Sequence, residues 1–110
     1  ISPGMKTRFR ALHDYTAKLP LCAATESEEL GGLTTRQAIE LGVMNGIAFE
    51  IEGYAARMRS QIEDLCVIFT GGDANFFVKR IKNTIFANCN LVFCGLNRIL
   101  EYNASEEHLN

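Results

Sequence analysis

The stretch Cys66-Val-Ile-Phe-Thr-Gly-Gly-Asp-Ala74 is an apolar run that ends at two glycines and leads into a helix-like segment. Residues 66–69 are rich in β-branched and aromatic side chains, which is typical of a strand buried on both faces. Gly71 and Gly72 allow a tight turn and let a flat ligand come close to the backbone. This order predicts an α/β fold with a ligand loop at the carboxyl end of a sheet. A plain tight turn is the alternative.

Asp73 follows the glycines and suits the N-cap of the next helix, because its carboxylate can accept hydrogen bonds from free backbone N–H groups. Orientation of a ribose or a cation is a second interpretation of Asp73, although capping alone explains the residue. Residues 75–83 mix apolar and basic side chains in a pattern that predicts a helix docked by one face. The basic residues near its end suit a helix C-terminus.

Composition predicts one modest globular domain, since the chain has 110 residues and 47% of them are hydrophobic. The formal charge is −2 and there is no basic cluster, which argues against a nucleic-acid partner. No apolar run approaches the roughly 20 residues of a membrane span, and the start lacks the pattern of a signal peptide. We therefore expect a cytoplasmic protein without a membrane segment. Its four cysteines, none in a CxxC unit, are expected to be free thiols rather than disulfides.

Before the glycine turn, the spacing of apolar residues predicts a helix over residues 6–18, closed by Pro20, and then a short strand over residues 19–24. Residues 25–32 are polar and end in glycine, which predicts a surface loop. Thr34 or Thr35 can cap the long helix that follows. Apolar positions recur every three or four residues up to about residue 64, which predicts one buried face on one helix or on two in tandem. These positions are Ile39, Val43, Ile47, Ile51, Ala55, Met58 and Ile62.

Gly42 and Gly46 lie on one side of this helix, where each lowers helix propensity by about 1 kcal/mol relative to alanine. Close approach of another helix, a strand or a second subunit would compensate; two tolerated surface glycines are the alternative. Towards the carboxyl end we expect short strands at residues 84–87 and 90–92, a helix over residues 95–102, and a frayed polar tail over residues 103–110.

Five short motifs in order resemble the carboxyl-terminal half of type III pantothenate kinases. They are Ile1-Ser-Pro-Gly4, Tyr15-Thr-Ala-Lys-Leu-Pro20, Gly32-Leu-Thr-Thr35 with the following Gly42 and Gly46, Thr70-Gly-Gly-Asp-Ala74, and Gly95-Leu96 before Asn103. The resemblance implies a ribonuclease-H-like half-domain of the actin-like ATPase superfamily, here spanning residues 1–110 and containing a long central helix. It also implies ATP-dependent phosphorylation of pantothenate, the first step of coenzyme A synthesis, by a cytoplasmic homodimer.

The resemblance assigns roles to six residues. Gly71 and Gly72 match the glycine pair beside the nucleotide, and Pro3 and Gly4 match the end of a glycine-rich loop that borders the cleft. Thr35, with Thr34 before it, matches a substrate-binding Gly-Lys/Arg-Asn-Thr motif near the dimer interface. Here Leu33 replaces the basic residue and Thr34 replaces the asparagine, so a contact from that basic side chain is not expected. The threonine hydroxyl, which can donate and accept, is retained.

The remaining family machinery is expected before Ile1, since the chain starts as the interior of a longer polypeptide would. That machinery comprises an aspartate-glycine phosphate loop and the general-base aspartate; we expect no catalytic residue and no protein metal ligand within this chain. Mg²⁺ and a monovalent cation are implied by the resemblance, because phosphoryl transfer depends on metal ions that offset charge. The isolated chain is therefore expected to be inactive.

Other candidate chemistry has a simpler interpretation. His13 and Asp14 are adjacent on a helix and point about 100° apart, which favours a surface pair over an acid-base dyad. Cys89 and Cys94 have no neighbouring histidine, which argues against a zinc site. The acidic residues of the 25–32 loop predict a solvated run rather than a magnesium site. Two rival functions remain open: another kinase of the superfamily that acts on a sugar or acetate, and a non-catalytic regulatory or interaction homologue.

Overall fold

Three α-helices and the segments between them make up residues 1–81, the part of the chain that this computed structural model describes. Helix α1 covers Met5–Asp14, α2 covers Thr35–Arg59 and α3 covers Ala74–Ile81. The chain divides into two compact units, Ile1–Ile51 and Glu52–Asn110. The predictions for residues 84–87, 90–92, 95–102 and 103–110 lie outside the described residues.

Helix α1 is shorter than predicted, because it ends at Asp14 rather than near residue 18. The N–H of Tyr15 still donates to the Ala11 carbonyl at 2.9 Å, and the Thr16 hydroxyl donates to the carbonyl of Leu12. A threonine side chain that takes a carbonyl four residues back competes with continuation of the helix. Tyr15, which the predicted helix would have included, is exposed.

The long helix was correctly predicted, and it is one helix of 25 residues that continues through Gly53. It ends at Arg59, five residues before the predicted limit. The residues that follow form hydrogen bonds to carbonyl groups in the last turn of the helix. The N–H groups of Gln61 and Ile62 both donate to the Met58 carbonyl, and the Ser60 hydroxyl donates to the Arg57 carbonyl at 2.6 Å.

Burial along α2 follows the predicted face as far as Ala55, which is 4% exposed, and is lost beyond it. Ile39, Val43 and Ile47 are buried, whereas Met58 and the following Ile62 are about half exposed. Between residues 41 and 48 almost every side chain is buried, so this part of the helix is covered on more than one side. The core of the first unit consists of Met5, Phe9, Cys22, Ile39, Leu41, Val43, Met44, Ile47 and Ala48.

The two strands predicted within the described residues, at residues 19–24 and 66–70, were wrong for this structure. Both segments lack a strand assignment, since a strand requires a hydrogen-bonded partner and no segment of residues 1–81 pairs with either of them. The predicted burial of residues 66–69 on both faces is also wrong. Cys66 and Ile68 are exposed, and Phe69 is buried.

Helix α3 agrees with the amphipathic helix predicted for residues 75–83, within the part of that range that is described. Phe77 and Ile81 are buried, while Lys79 and Arg80 occupy the last turn. Basic side chains at this end interact favourably with the helix dipole. In residues 1–81 no helix meets the length and hydropathy needed to cross a membrane.

Candidate functional site

The start of α2 is fixed by a capping box, the reciprocal arrangement in which the N-cap and the third helical residue bond each other's backbone. The N–H of Gln37 donates to Thr34 Oγ1 at 3.1 Å, and the N–H of Thr34 donates to Gln37 Oε1 at 3.3 Å. Gln37 Oε1 also accepts from the Leu33 N–H at 2.9 Å. Of the two predicted caps, Thr34 is therefore the actual one, and its hydroxyl accepts a hydrogen bond from the helix.

Gly32 is held closely against this first turn. A Cβ atom added to Gly32 would lie 2.7 Å from the Gln37 carbonyl carbon and 2.8 Å from the Ala38 nitrogen, and it would also overlap Gln37 Cβ. Backbone atoms of a capped helix cannot move aside as the end of a flexible side chain can. The absence of a side chain at Gly32 is therefore a steric requirement of the turn that leads to Thr34 and Thr35.

Thr35 is the first residue of α2, and it is exposed. Among the described residues its hydroxyl has no hydrogen-bond partner. The residue lines a groove of about 640 Å³ formed by α1, Leu19 and the first half of α2. The groove is lined by Arg8, Ala11, Leu12, Leu19, Thr35, Ala38, Ile39, Gly42 and Val43. A free hydroxyl at the edge of apolar walls suits a small ligand that has both polar and apolar parts.

The two glycines of α2 have different surroundings. Among the described residues, nothing lies within 4 Å of a Cβ built on Gly42, which opens onto the groove. A Cβ on Gly46 would meet Arg8 Nη1 at 3.9 Å, an ordinary contact distance. The predicted close approach of another element is thus limited, in residues 1–81, to the Arg8 side chain over Gly46.

Arg8 connects the amino-terminal segment to α2. Its Nε donates to the Pro3 carbonyl at 2.9 Å, and its Nη2 donates to Ser2 Oγ at 3.0 Å and to Glu50 Oε2 at 2.9 Å. Gly4 is the N-cap of α1, and its carbonyl accepts from the Arg8 N–H at 3.1 Å. Pro3 and Gly4, predicted to border the cleft, therefore form an exposed turn that is held by one guanidinium.

The hydrogen bonds around Glu50 change the pKa of its carboxyl group. A hydrogen bond from the Ser2 hydroxyl, followed in size by the one from the Arg8 guanidinium, lowers the pKa of Glu50 below its ordinary value. The side chains of Arg8 and Glu50 are 22% and 33% exposed, so solvent screens the ion pair only in part. Glu50 is ionised at neutral pH and pairs with Arg8 there.

The loop before α2 is held in place by a hydrogen bond from a buried side-chain amide. Asn45 is 8% exposed, and its Nδ2 donates to the Glu29 carbonyl at 2.7 Å. The acidic side chains of the loop, Glu26 and Glu28 together with Glu29, are exposed, as expected for a solvated run. This hydrogen bond fixes the position of the loop backbone at Glu29, three residues before Gly32.

Gly71 adopts φ +96°, a left-handed conformation that side chains disfavour, so the glycine turn predicted from sequence is present. Its carbonyl accepts from the Ala74 N–H at 3.3 Å. Among the described residues, the space beside the Cα atoms of Gly71 and Gly72 is open to 4 Å, and both residues are exposed. These properties permit a ligand to approach the backbone. The two glycines belong to the second unit.

Asp73 directly precedes α3, but in the described residues its carboxylate makes no hydrogen bond to the helix. Its backbone carbonyl accepts from the Phe76 N–H at 3.2 Å. The predicted side-chain cap is therefore wrong in this structure. The turn at Gly71 and the backbone bond at Asp73 start the helix instead.

The weaker candidates have structural roles. His13 Nδ1 donates to the Leu19 carbonyl at 2.8 Å while Asp14 pairs with Arg10 at 3.5 Å, so the two neighbours do not act as a dyad. Among the described residues, Cys22 and Cys66 are free thiols, and Cys22 is buried. In the part of the chain that the structure describes, no three His, Cys, Asp or Glu side chains are grouped as metal ligands would be.

Of the predicted site residues, Thr34, Thr35, Pro3 and Gly4 all lie in the first unit, where Arg8 contacts the Pro3 turn and shares the groove with Thr35. Sequence reasoning missed Arg8. Its partner Glu50 is 42 residues away, a separation at which no local pattern signals a contact. A hint exists only in the four-residue spacing between Gly4 and Arg8, which places the arginine one turn into the helix.

Comparison with known proteins gives a consistent result. A family model described as type III pantothenate kinase matches residues 1–57. A type III pantothenate kinase of Flavobacterium psychrophilum is 51% identical over 102 residues, which cover 93% of this chain and 42% of that protein. Those of Cytophaga hutchinsonii and Christiangramia forsetii are 47% and 44% identical, over 94% and 96% of this chain and 44% of each relative. The chain thus spans less than half the length of the relatives it matches.

Proposed function

This chain belongs to the type III pantothenate kinase family, and we propose that it supplies one half of an enzyme that transfers phosphate from ATP to pantothenate. The observation that carries the proposal is the match of residues 1–57, which contains both the Pro3-Gly4 turn and the Thr34-Thr35 helix start. The relatives bear the same name. In fold terms, we propose that the chain is part of a ribonuclease-H-like half-domain of the actin-like ATPase superfamily, as the family resemblance implies.

On the substrate side, we propose that Thr35 contacts pantothenate and that Thr34 shapes the helix start. This division is supported by their hydroxyl groups, since that of Thr34 already accepts from Gln37 whereas that of Thr35 has no partner among the described residues. Pantothenate has hydroxyl and amide groups beside a branched apolar carbon skeleton. The Thr35 hydroxyl and the apolar walls of the groove suit both parts of such a molecule.

On the nucleotide side, we propose that Gly71 and Gly72 lie against the adenosine of ATP and that the Pro3-Gly4 turn borders the phosphates. The open space at the two glycines and the left-handed Gly71 support this assignment. Because flat ligands can stack closely on a backbone without side chains, a glycine pair is chemically appropriate there.

For the ions, we propose that Mg²⁺ and a monovalent cation are required, as the family resemblance implies. The described residues do not themselves fit a metal site, since they offer no grouped set of three ligands. Chelation of Mg²⁺ by ATP and protein groups elsewhere would supply the charge compensation that phosphoryl transfer needs.

We also propose a homodimer in the cytoplasm, with the fully exposed Leu33 and the long helix α2 available for subunit contacts.

One observation favours a second candidate, a regulatory or interaction homologue without catalysis. Leu33 occupies the place of the motif's basic residue, and its side chain is fully exposed. A leucine there can neither pair with a phosphate nor bind a carboxylate. Retention of Thr35, by contrast, favours the kinase.

The test is ATP turnover by the protein made from the complete reading frame that encodes this chain, hereafter the complete protein. Pantothenate-dependent ADP release is expected, with sugars and acetate as competing acceptors. Faster ADP release with a sugar would identify another kinase of the superfamily. No release with any acceptor, from a folded protein that also fails to support growth of a strain lacking pantothenate kinase, would favour the interaction homologue. The 110-residue chain alone is expected to be inactive.

A further inference from the structure

Arg8 is the residue through which the amino-terminal turn is attached to α2. Three hydrogen bonds of 2.9 to 3.0 Å leave its guanidinium, to the Pro3 carbonyl, the Ser2 hydroxyl and the Glu50 carboxylate. The acceptors are of three chemical kinds and come from two segments separated by more than 40 residues. A planar guanidinium with five donors can satisfy all three at once, which a lysine ammonium on a flexible stem does less well.

The turn itself has little other support. Residues 1–4 are exposed and precede α1, and the N-cap residue Gly4 has no side chain with which to cap the helix. The Arg8 side chain is only 22% exposed and lies at 3.9 Å from the position of a Cβ on Gly46. Because Arg8 packs over that glycine and pairs with Glu50, its guanidinium is held in place. Its hydrogen bonds to Ser2 and Pro3 therefore restrain the exposed turn.

We propose that Arg8 is a positioning residue that links residues 2–4 to α2. Through this link it keeps the turn on the nucleotide side at a fixed position relative to the helix that starts at Thr35. The inference rests on the proposed function in assigning the turn to the nucleotide cleft. It adds a role that Arg8 fulfils through the turn and not through contact with the nucleotide. In physical terms, the Arg8–Glu50 pair keeps residues 2–4 and α1 at a constant distance from the part of α2 that lies in the first unit.

The first measurement is the Kd of a non-hydrolysable ATP analogue for the complete protein and for Arg8→Lys. Lysine keeps the charge opposite Glu50 and loses the fork that reaches Ser2 and Pro3. Without these two hydrogen bonds the turn must be ordered when the nucleotide binds, so the Kd is expected to rise by about tenfold. The melting temperature is expected to stay near that of the parent protein, because the ion pair is retained. Arg10→Lys is the matched control, since Arg10 lies on the same helix in an exposed pair with Asp14.

The second measurement does not depend on nucleotide. Hydrogen–deuterium exchange of the peptide containing residues 2–7 is expected to be faster in Arg8→Lys than in Arg10→Lys. Ser2→Ala, which removes only an exposed hydroxyl, is expected to give a smaller change in the same direction. This variant also serves if Arg8→Lys does not fold.

The outcomes separate the inference from the function on which it rests. Weaker analogue binding together with faster exchange supports the positioning role. Unchanged exchange in both Arg8→Lys and Ser2→Ala overturns it, whether or not the analogue binds. If the parent protein binds no analogue, the proposed function fails, and the exchange measurement alone still decides whether Arg8 holds the turn.

Discussion

Thr34 and Gln37 exchange hydrogen bonds across the first turn of α2, each bonding the backbone N–H of the other at 3.1 and 3.3 Å. Helix starts leave N–H groups without intrahelical partners, and this exchange satisfies two of them. It also defines where α2 begins. Since Thr35 is the next residue, the capping box sets the position of the proposed substrate hydroxyl.

Thr34→Ala is expected to lower the free energy of unfolding by about 1 kcal/mol, because the Gln37 N–H loses its acceptor. Thr35→Ala removes a hydroxyl without a partner among the described residues and is the matched control, expected within about 0.5 kcal/mol of the parent. Urea denaturation of the complete protein measures both. Equal losses in the two variants would mean that the capping box does not stabilise α2.

Gly32→Ala is expected to destabilise the protein by about 1–3 kcal/mol, because the new methyl group would overlap the backbone of Gln37 and Ala38. Gly31→Ala is an adjacent control, since nothing among the described residues lies within 4 Å of its Cβ. That variant is expected to be neutral or slightly stabilised. Denaturation midpoints that shift equally in the two variants would contradict the close contact at Gly32.

Sequence periodicity was sufficient to predict α2 and α3, because amphipathic spacing is a local property of the chain. The turn at Gly71 was likewise predictable, since the glycine pair is a local signal and φ +96° is a conformation that glycine adopts at little cost. For the same reason the resemblance to the family could be found from five short motifs, and the match over residues 1–57 supports it.

The wrong or missing predictions involve partners that are distant in sequence. Residues 66–69 have the composition of a buried strand, but a strand forms only where another strand pairs with it, and residues 1–81 provide none. The Arg8–Glu50 pair spans 42 residues, and its strength depends on geometry that composition does not specify. At Asp73 the residue type suited a cap, yet backbone bonds start α3 instead.

Gly72→Ala is expected to raise the KM for ATP by at least about fivefold, because a methyl group would occupy space that the proposed adenosine contact requires. Stability should change little, since the described residues leave the Cβ position open and Gly72 does not have a positive φ. Gly71→Ala would be confounded by backbone strain at φ +96°. An unchanged KM for ATP in Gly72→Ala would exclude close approach of the nucleotide at this residue.

Glu50 is expected to contribute stability that depends on pH. The Ser2 and Arg8 hydrogen bonds lower its pKa, so the folded state favours the ionised carboxylate. For a lowered pKa, the stabilisation is fully present above the unfolded value of about 4.3 and is lost as pH falls through the folded value. Glu50→Gln should therefore be less stable than the parent at pH 7, with the difference shrinking below about pH 4.

The measurement for Glu50 is the free energy of unfolding of both proteins between pH 7 and pH 3. Glu26→Gln serves as a control for the removal of one negative charge, because Glu26 is exposed on the loop before α2. A difference between parent and Glu50→Gln that stays constant over this range would show that the carboxylate gains nothing from its partners.

Thr35→Val is expected to lower kcat/KM for pantothenate by about tenfold, because valine keeps the shape of threonine and removes the hydroxyl that we propose as a substrate contact. Thr35→Ser retains the hydroxyl and should stay within about threefold of the parent. Both variants should leave the KM for ATP and the melting temperature unchanged, since Thr35 is exposed and its hydroxyl bonds no other described group. Steady-state kinetics with each substrate varied in turn separates these effects. Equal activity of the valine and serine variants would assign the substrate contact to another residue of the groove.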